Sequence, residues 1–351
     1  MARDMVQVRH GSAPADGRAR LSKGIFSVSL DFELIWGTID KPNWRRMMDI
    51  CLVERQEIVG RLLELFHRYS FSATWCTVGH LFLHDCSPKG GKTHPEILDQ
   101  DGVPGGGRFD RDPCSNEESE PCFYGRQLIR QILDCPTPQE IGCHSFSHTI
   151  FSDCTRQSAD TELAECVKAA EEFGLRLSSF AFPRNRVGHL DVLAHHGIEV
   201  FRGPDRTWHE SAARRRWYHR LGHLADIALA VTPPTVLPEW NPNGLWDIPG
   251  SMLYTPSHGP RRFIPVWLRV LRARKGLIAA ARDRQIFHLW FHPTDLVVRR
   301  DAMMDGLARI LDTASELREK GQLSVLPLRE IPRLEDLRPA SPTQASKVLV
   351  S

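Results

Sequence analysis

The stretch "SLDFELIWG", residues 29–37, ends an apolar run from Ile25 to Leu30 and carries two acids two positions apart. A short apolar run of this kind is typical of a buried strand. Because side chains alternate along a strand, Asp31 and Glu33 are expected to point to the same side. Two carboxylates so close repel each other unless a cation, an arginine or a shared proton lies beside them. The stretch therefore predicts either a functional site at the end of a buried strand or two acids exposed to solvent.

Along the rest of the chain, strand-like apolar segments alternate with segments of helical periodicity. Such alternation predicts an α/β fold with parallel strands and with its functional groups at the carboxyl ends of those strands. The expected strands are residues 25–30, 71–79, 140–143, 177–182, 198–202, 285–291 and 323–328. The expected helices are residues 49–69, 124–133, 158–173, 188–195, 208–230, 263–282 and 300–320.

The domain organisation is expected to be simple. Residues 23–330 are predicted to form a single barrel domain between disordered tails at residues 1–22 and 331–351. Residues 87–121 are dense in Gly, Pro, Asp and Ser, which predicts a long loop insertion. Loops of this length inside a domain are usually functional, so we expect a wall or lid of the substrate pocket. The alternative is a disordered surface insertion.

Composition narrows the classes of partner. The 351 residues carry a formal net charge of +2, which gives no nucleic-acid signature, so we expect no nucleic-acid partner. No apolar run is long enough to cross a bilayer, and the first residues lack the apolar core of a secretory signal. The nine cysteines contain no CxxC pair and several lie in apolar contexts, as reduced thiols do. We therefore expect a cytoplasmic location.

The segment "IGCHSFSHTIF", residues 141–151, carries two histidines four positions apart, directly after an expected strand. In a helical turn His144 and His148 would lie on one face, where two imidazoles can bind one ion. An isolated pair is weak support, because two histidines hydrogen-bonded in a loop give the same pattern. The acids of residues 29–37 also follow a strand, however, and parallel strands end at one edge of the sheet. Two imidazoles and a carboxylate leave coordination positions open, as in a catalytic metal site.

Five segments in order resemble the motifs of the polysaccharide deacetylase family of carbohydrate esterases. They are "SLDFELIWG", "FSATWCTVGHLF", "EIGCHSFSH", "FAFPRNRVG" and "IFHLWFHP", and the resemblance covers roughly residues 24–327. The family implies a distorted (β/α) barrel of about seven parallel strands. It also implies a divalent metal held by one acid and two histidines, and hydrolysis of an N-acetyl group from an amino sugar. We expect the ion to be Zn²⁺, with Co²⁺, Ni²⁺, Fe²⁺ and Mn²⁺ as alternatives.

The same resemblance implies roles for individual residues. Asp31 resembles the general base, and the metal ligands correspond to Glu33, His144 and His148. The general acid corresponds to His292, which closes the expected strand where pockets open.

Three features depart from the common family pattern. The two acids of the first motif are usually adjacent Asp residues, whereas here they are separated and the second is Glu. The third motif usually has an arginine before its proline, whereas Arg184 follows Pro183. Either Arg184 orients the catalytic acid from a different position or it has another role. His288 is an alternative general acid, although it lies deeper in the strand.

The substrate is expected to be an acylated amino sugar on a nucleotide-linked or lipid-linked glycan precursor. Trp36, Trp75, Trp246 and Trp290 are candidates for stacking on sugar rings, with packing in the core as the alternative. Cations in residues 214–216 and 261–275 suggest peripheral contact with an anionic membrane or a diphosphate, or simply a solvated helix face. A hydrolase of a non-sugar amide or imide and a non-catalytic carbohydrate-binding relative remain alternative functions. The oligomeric state is left open.

Overall fold

The computed structural model describes residues 21–98, 107–206, 226–227 and 229–337. Most of both expected tails and most of the expected helix at 208–230 lie outside the described residues. One sheet of ten strands dominates the described part, in the order β6-β7-β5-β4-β3-β2-β1-β9-β8, with β10 paired to the start of β1. The strands are β1 Gly24–Phe32, β2 Thr74–Thr77, β3 Glu140–Cys143, β4 Ser179–Ala181, β5 Val200–Arg202, β6 Glu239–Asn241, β7 Leu245–Asp247, β8 Met252–Leu253, β9 Ile286–Phe291 and β10 Leu323–Val325.

Helices connect the strands. The α-helices are α1 Met48–Val53, α2 Val59–Tyr69, α3 Arg126–Leu133, α4 Arg156–Glu171, α5 Leu190–His195, α6 Val266–Asp283 and α7 Arg300–Glu319. A π-helical turn, Glu54–Ile58, joins α1 to α2 without a break. Shorter 3-10 turns are Leu34–Gly37, Trp44–Met47, Gly79–Phe82, Arg108–Arg111, Phe151–Asp153, Pro183–Asn185, Gly259–Phe263, Pro293–Leu296, Leu328–Arg333 and Glu335–Leu337.

Strand β1 is the centre of the sheet, and each of its nine residues is buried. It pairs in parallel with β2 on one side and with β9 on the other, so that Leu30 lies opposite both Trp75 and Phe291. Among the described strands only β6 runs antiparallel to its neighbour. The sheet is curled into a half-barrel. In keeping with this curl, Val236, just before β6, forms a bridge with Ile286 in β9. The expected α/β fold with parallel strands is therefore confirmed, with more strands than the seven expected.

Several cations of helix α6 stabilise the fold itself. Arg269 is fully buried and donates to four backbone carbonyls, among them those of Thr255 at 2.8 Å and Ile264 at 2.7 Å. Arg272 and Lys275 donate to the carbonyls of residues 231 and 230, at 3.1 and 2.8 Å. These three side chains are engaged by the chain's own backbone, so peripheral contact with a membrane or a diphosphate, which stays a prediction, would depend on other cations. Residues 214–216 lie outside the described part.

A smaller apolar cluster lies beside the main core, and both ends of the described chain contribute to it. Leu21 and Leu337, which were assigned to the terminal tails, are buried in this cluster together with Val236 and Ile286. All nine cysteines are free thiols, and six of them are buried. Among the described helices, none is both long enough and apolar enough to span a membrane.

Candidate active site

Asp31 is the second-last residue of β1, and Glu33 directly follows the strand. The Nε2 atom of His292 lies 3.7 Å from Asp31 Oδ2 and 3.6 Å from Glu33 Oε1. The two acids therefore face one pocket, as the alternation of side chains predicts. A Cβ on Gly37 would lie 1.6 Å from Glu33 Oε2, so a residue with a side chain at this position would displace Glu33.

Asp31 is paired with an arginine that the sequence analysis did not identify. Both oxygens of Asp31 accept hydrogen bonds from Arg202, at 2.7 Å each, in the bidentate geometry of the strongest ion pairs. Both side chains are buried. Burial alone would raise the pKa of Asp31, but the guanidinium of Arg202 outweighs it and lowers the pKa. Asp31 is therefore ionised at neutral pH.

Three further groups fix the position of Arg202. Its Nη1 donates to Ser29 Oγ and its Nη2 to Asn185 Oδ1, both at 3.1 Å, and its guanidinium lies 4.4 Å from the ring centroid of Trp290. Asn185 and the preceding Arg184 both have positive φ, of 54° and 56°. Left-handed residues cost free energy outside glycine, and such strain is concentrated at functional sites. The strained turn after β4 thus directs Asn185 towards Arg202.

Arg184 itself points elsewhere. It forms an ion pair with Asp40 and its side chain is 39% exposed. Arg202 rather than Arg184 hydrogen-bonds both oxygens of Asp31, so an orienting role for Arg184 stays a prediction without a contact to this acid among the described residues. A usable signal was present in the sequence: Arg202 ends the apolar strand "IEVFR", just as Asp31 ends its own strand.

Glu33 brings the two histidines of "HSFSH" together. Its Oε1 lies 2.9 Å from Nε2 of His144 and 3.1 Å from Nε2 of His148, and all three side chains are largely buried. The predicted convergence is confirmed, but the predicted helical turn is wrong. The backbone instead bends through positive φ at Ser145 (61°) and His148 (62°), which turns both imidazoles towards Glu33.

This donor set fits a divalent metal. Nδ1 of His144 lies 2.8 Å from the carbonyl oxygen of Ala181, so it carries the hydrogen and leaves the Nε2 lone pair facing Glu33. Burial lowers the pKa of His148 and keeps its imidazole neutral, as a ligand must be. Burial alone would raise the pKa of Glu33, but the positive charge of His292, 3.6 Å away, helps to hold the pKa well below its usual range. Two imidazoles and one carboxylate are ligands typical of a catalytic zinc site.

His292 lies at the end of β9 and its environment favours the protonated form. Its Nδ1 is 2.9 Å from Asp295 Oδ2 in the turn that follows. Burial alone would lower the pKa of His292, but three surrounding carboxylates, first that of Asp295, raise it to about 10. His288 is fully buried, and burial lowers its pKa to about 3. The preference for His292 over His288 as a proton donor is therefore consistent with the structure.

Glu54 is a further acid near the site that the sequence analysis missed. It lies in the π-helical turn between α1 and α2, is fully buried, and neither carboxylate oxygen has a hydrogen-bond partner among the described residues. Burial, followed by the nearby charge of Glu33, raises its pKa well above the usual range. π-helical turns are frequent at functional sites. The signal was a single acid within an apolar helical stretch, which alone is uninformative.

The four tryptophans do not form a platform for sugar rings. Trp36 and Trp75 are fully buried, and the indole N–H of Trp36 donates to the carbonyl of Phe123 at 3.0 Å. Trp246 packs against Trp240 in the smaller apolar cluster. Trp290 lies beneath Arg202, and it donates to Asp205 Oδ1 at 2.8 Å. Stacking of a substrate on the first three is contradicted by their burial, whereas Trp290 supports the arginine of the site.

The described parts of the loop insertion pack against this site. His94, Ile97, Phe109 and Asp112 are all less than 10% exposed, so these residues are part of the structured domain. The rings of Phe109 and Trp36 are in contact, with 6.2 Å between their centroids. Residues 99–106 lie outside the described part, and whether the loop closes as a lid stays a prediction.

The whole fold resembles solved structures of two kinds of hydrolase. A Mycobacterium smegmatis structure assigned as a polysaccharide deacetylase matches 94% of this chain and 97% of its own, with 14% identity and a TM-score of 0.60. The PuuE allantoinase structure matches 95% of this chain and 97% of its own, with 13% identity and a TM-score of 0.57. A structure from Pseudomonas aeruginosa PAO1, also assigned as a polysaccharide deacetylase, matches 90% and 92%, with 12% identity and a TM-score of 0.55.

No family model and no curated protein sequence matches the chain. The likeness therefore rests on structure, and at these identities it concerns the fold. The chain has the fold of the polysaccharide deacetylases and of PuuE allantoinase.

Proposed function

We propose that the protein is a metal-dependent hydrolase that removes an N-acyl group, first of all N-acetyl, from an amino sugar. One observation carries the proposal. An acid held ionised by Arg202, a carboxylate between two imidazoles, and a histidine within 3.7 Å of both acids meet at the end of one strand. This arrangement has a base, a set of metal ligands and an acid, which amide hydrolysis requires.

Each residue has a distinct part in the proposed reaction. An ion bound by Glu33, His144 and His148 would supply Lewis-acid activation of the amide carbonyl and of the attacking water. Asp31 accepts the proton that this water loses, because Arg202 keeps Asp31 ionised. His292 donates a proton to the departing amine nitrogen, since an amine leaves poorly unless it is protonated.

The fold and the expected location support the proposed substrate class. Two of the structures that share this fold are assigned as polysaccharide deacetylases, which supports an acylated carbohydrate. The free cysteines are consistent with a reducing, cytoplasmic environment. In that compartment the proposed substrate is a nucleotide-linked or lipid-linked precursor rather than an assembled polysaccharide.

A second candidate function is hydrolysis of a C–N bond in a non-sugar amide or imide. Two observations favour it: an allantoinase shares the fold, and three of the four candidate stacking tryptophans are packed in the interior. Release of amine from N-acetylated nucleotide sugars and lipid-linked sugars, measured beside hydrolysis of allantoin, separates the two candidates. Turnover of allantoin alone would replace the deacetylase proposal by the second candidate.

Substitution of Asp31 and substitution of Glu33 should have different effects on metal binding and turnover. Asp31→Asn removes the base, so we expect turnover to fall by about 10²–10⁴ while the metal stays bound. Glu33→Gln weakens a ligand, so metal should be lost first and activity should partly return at high metal concentration. Metal analysis after gel filtration and initial rates at saturating metal measure both effects. Equal metal loss in the two variants would show that the roles are divided incorrectly, provided that circular dichroism shows both to be folded.

The dependence of kcat on pH should change when Asp295 is replaced, because Asp295 raises the pKa of His292. Asp295→Asn removes a negative charge 2.9 Å from Nδ1 and should lower the pKa of His292 by about one to three units. Because the acid must be protonated, the alkaline limb of kcat should move to lower pH. The acidic limb, which follows ionisation of Asp31, should stay in place. Displacement of the acidic limb instead would contradict this assignment.

A further inference from the structure

A second group of metal-ligating side chains lies in the connection between β2 and α3, apart from Glu33, His144 and His148. It consists of His80, Cys86, His94 and Asp112, whose ligand atoms all lie within 4.8 Å of one another. We call it the loop cluster. His80, His94 and Asp112 are buried and Cys86 is half-buried.

The distances from Asp112 to the other three members of the loop cluster are close to those around a tetrahedral ion. Asp112 Oδ2 lies 3.0 Å from His80 Nε2, 3.2 Å from His94 Nε2 and 3.5 Å from Cys86 Sγ. Zinc–ligand bonds of about 2.0–2.3 Å place neighbouring ligands of a tetrahedron roughly 3.3–3.7 Å apart. These three distances are close to ligand spacing and the other three lie within 4.8 Å, so small shifts would admit an ion between the four atoms.

The Nδ1 atoms of His80 and His94, which point away from Asp112, each lie next to a hydrogen-bond acceptor. His80 Nδ1 lies 3.1 Å from the carbonyl oxygen of Phe123, and His94 Nδ1 lies 3.3 Å from Glu96 Oε1. Both neighbours are acceptors, so each Nδ1 carries the hydrogen of its ring. In a neutral imidazole the other nitrogen is then a lone pair. Both Nε2 lone pairs consequently point at the carboxylate of Asp112, which repels them unless a cation lies between.

Asp112 and Cys86 are supported in the same way. Asp112 Oδ1 accepts the backbone N–H of Cys114 at 3.0 Å, which leaves Oδ2 to face the two imidazoles. The hydroxyl of Tyr124 accepts the N–H of Ser115 at 2.9 Å and lies 3.1 Å from Cys86 Sγ, where its own hydrogen can stabilise a thiolate. Metal ligands are commonly oriented by such outer hydrogen bonds.

Two protonated imidazoles would satisfy the same distances without a metal. That arrangement would bring two imidazolium cations and the carboxylates of Asp112 and Glu96 together in an interior lined by Trp36, Tyr124, Phe109 and Phe146. Removing so many charges from water is costly even when they are paired. Two imidazoles, a thiolate and a carboxylate suit a closed, tetrahedral ion of the zinc type, with no open position for substrate.

We propose that the loop cluster is a second, structural metal site that binds a zinc-type divalent ion through His80, Cys86, His94 and Asp112. The position of the loop cluster suggests what a bound ion would stabilise. The backbone N–H groups of Gly79 and His80 donate to the carbonyls of Ser145 and Phe146, at 2.8 and 2.9 Å. The ion would thus hold a long connection with little regular structure against the turn that carries His144 and His148.

Cobalt substitution tests this site independently of the proposed function. The full-length protein is stripped with a chelator and reloaded with Co²⁺, whose bond to a thiolate absorbs in the near ultraviolet. No cysteine belongs to the Glu33, His144 and His148 group, so this band reports on the loop cluster alone. We expect the band in the wild-type protein and in His148→Ala, and its loss in Cys86→Ser.

Cys114→Ser is the matched control. Cys114 lies in the same loop, but its Sγ is 3.1 Å from Thr93 Oγ1 and is not part of the loop cluster, so the band should persist. Protein grown with zinc should hold about two ions per chain, and Cys86→Ser and His148→Ala about one each. Absence of the band in the wild-type protein, or its survival in Cys86→Ser, would overturn the proposal. Loss of the catalytic metal alone would leave the band intact.

Discussion

His144→Ala and His148→Ala are each expected to lose the ion of the proposed active site and all measurable turnover. The two imidazoles lie 2.9 and 3.1 Å from Glu33, and removing either leaves two of the three ligands. The fold should persist, because neither variant touches the four ligands of the loop cluster. Metal analysis, activity and circular dichroism on the same preparation measure the three effects.

His67→Ala is the control for this experiment. His67 lies in α2 and its Nδ1 contacts Thr137 Oγ1 at 3.0 Å, away from the two metal-ligating groups that contain His144 and His80. Its metal content and turnover should match the wild type. Full metal occupancy in His144→Ala or His148→Ala would show that the ligand assignment is wrong.

Arg202→Met is expected to have the largest effect on stability. The variant leaves Asp31 buried without its counter-ion, and breaking a buried pair from one side costs about 3–5 kcal/mol. Since Arg202 lowers the pKa of Asp31, its removal should raise that pKa. The stabilisation from the pair is present above the unfolded pKa of about 3.9 and is lost as the pH falls through the lowered folded value. The loss of stability should therefore be largest at neutral pH and shrink on acidification.

The pH dependence of activity should also reveal the raised pKa of Asp31 in Arg202→Met. Asp31 acts when it is ionised, so a raised pKa moves the acidic limb of kcat/KM to higher pH. Arg202→Lys keeps the charge but loses the paired hydrogen bonds, and should recover part of the stability. Urea unfolding at several pH values and a pH–rate profile test both variants. An unchanged unfolding midpoint together with an unchanged acidic limb would contradict a role for Arg202 at this site.

Much of the fold and part of the site follow from local sequence patterns. Alternating apolar periodicities predicted the order of strands and helices, because these patterns depend on neighbouring residues alone. Asp31 and Glu33 were expected on one side of a strand end for the same reason. The convergence of His144 and His148 was also expected, although the local backbone is not helical. Left-handed φ at Ser145 and His148 is decided by packing around the turn, which no spacing rule describes.

The partners of these residues could not be read from the chain in this way. Arg202 is 171 positions from Asp31, and in the sheet β5 is separated from β1 by three strands. Only the curl of the sheet brings the two together. Glu54 is likewise buried through contacts of its π-helical turn with a segment distant in the chain, the turn Pro293–Leu296. The buried tryptophans illustrate the converse, because apolar burial and substrate contact give the same sequence pattern.

The sequence placed the two acids and the two histidines of the proposed site at strand ends, since strand alternation and parallel order are local consequences of side-chain periodicity. The tertiary structure decided what those residues contact. It selected Arg202 rather than Arg184 as the partner of Asp31, and it brought His80, Cys86, His94 and Asp112 within 4.8 Å despite long loops between them. The physical reason is that charge pairing and metal ligation depend on distances of a few ångströms, and those distances are set by how distant segments pack.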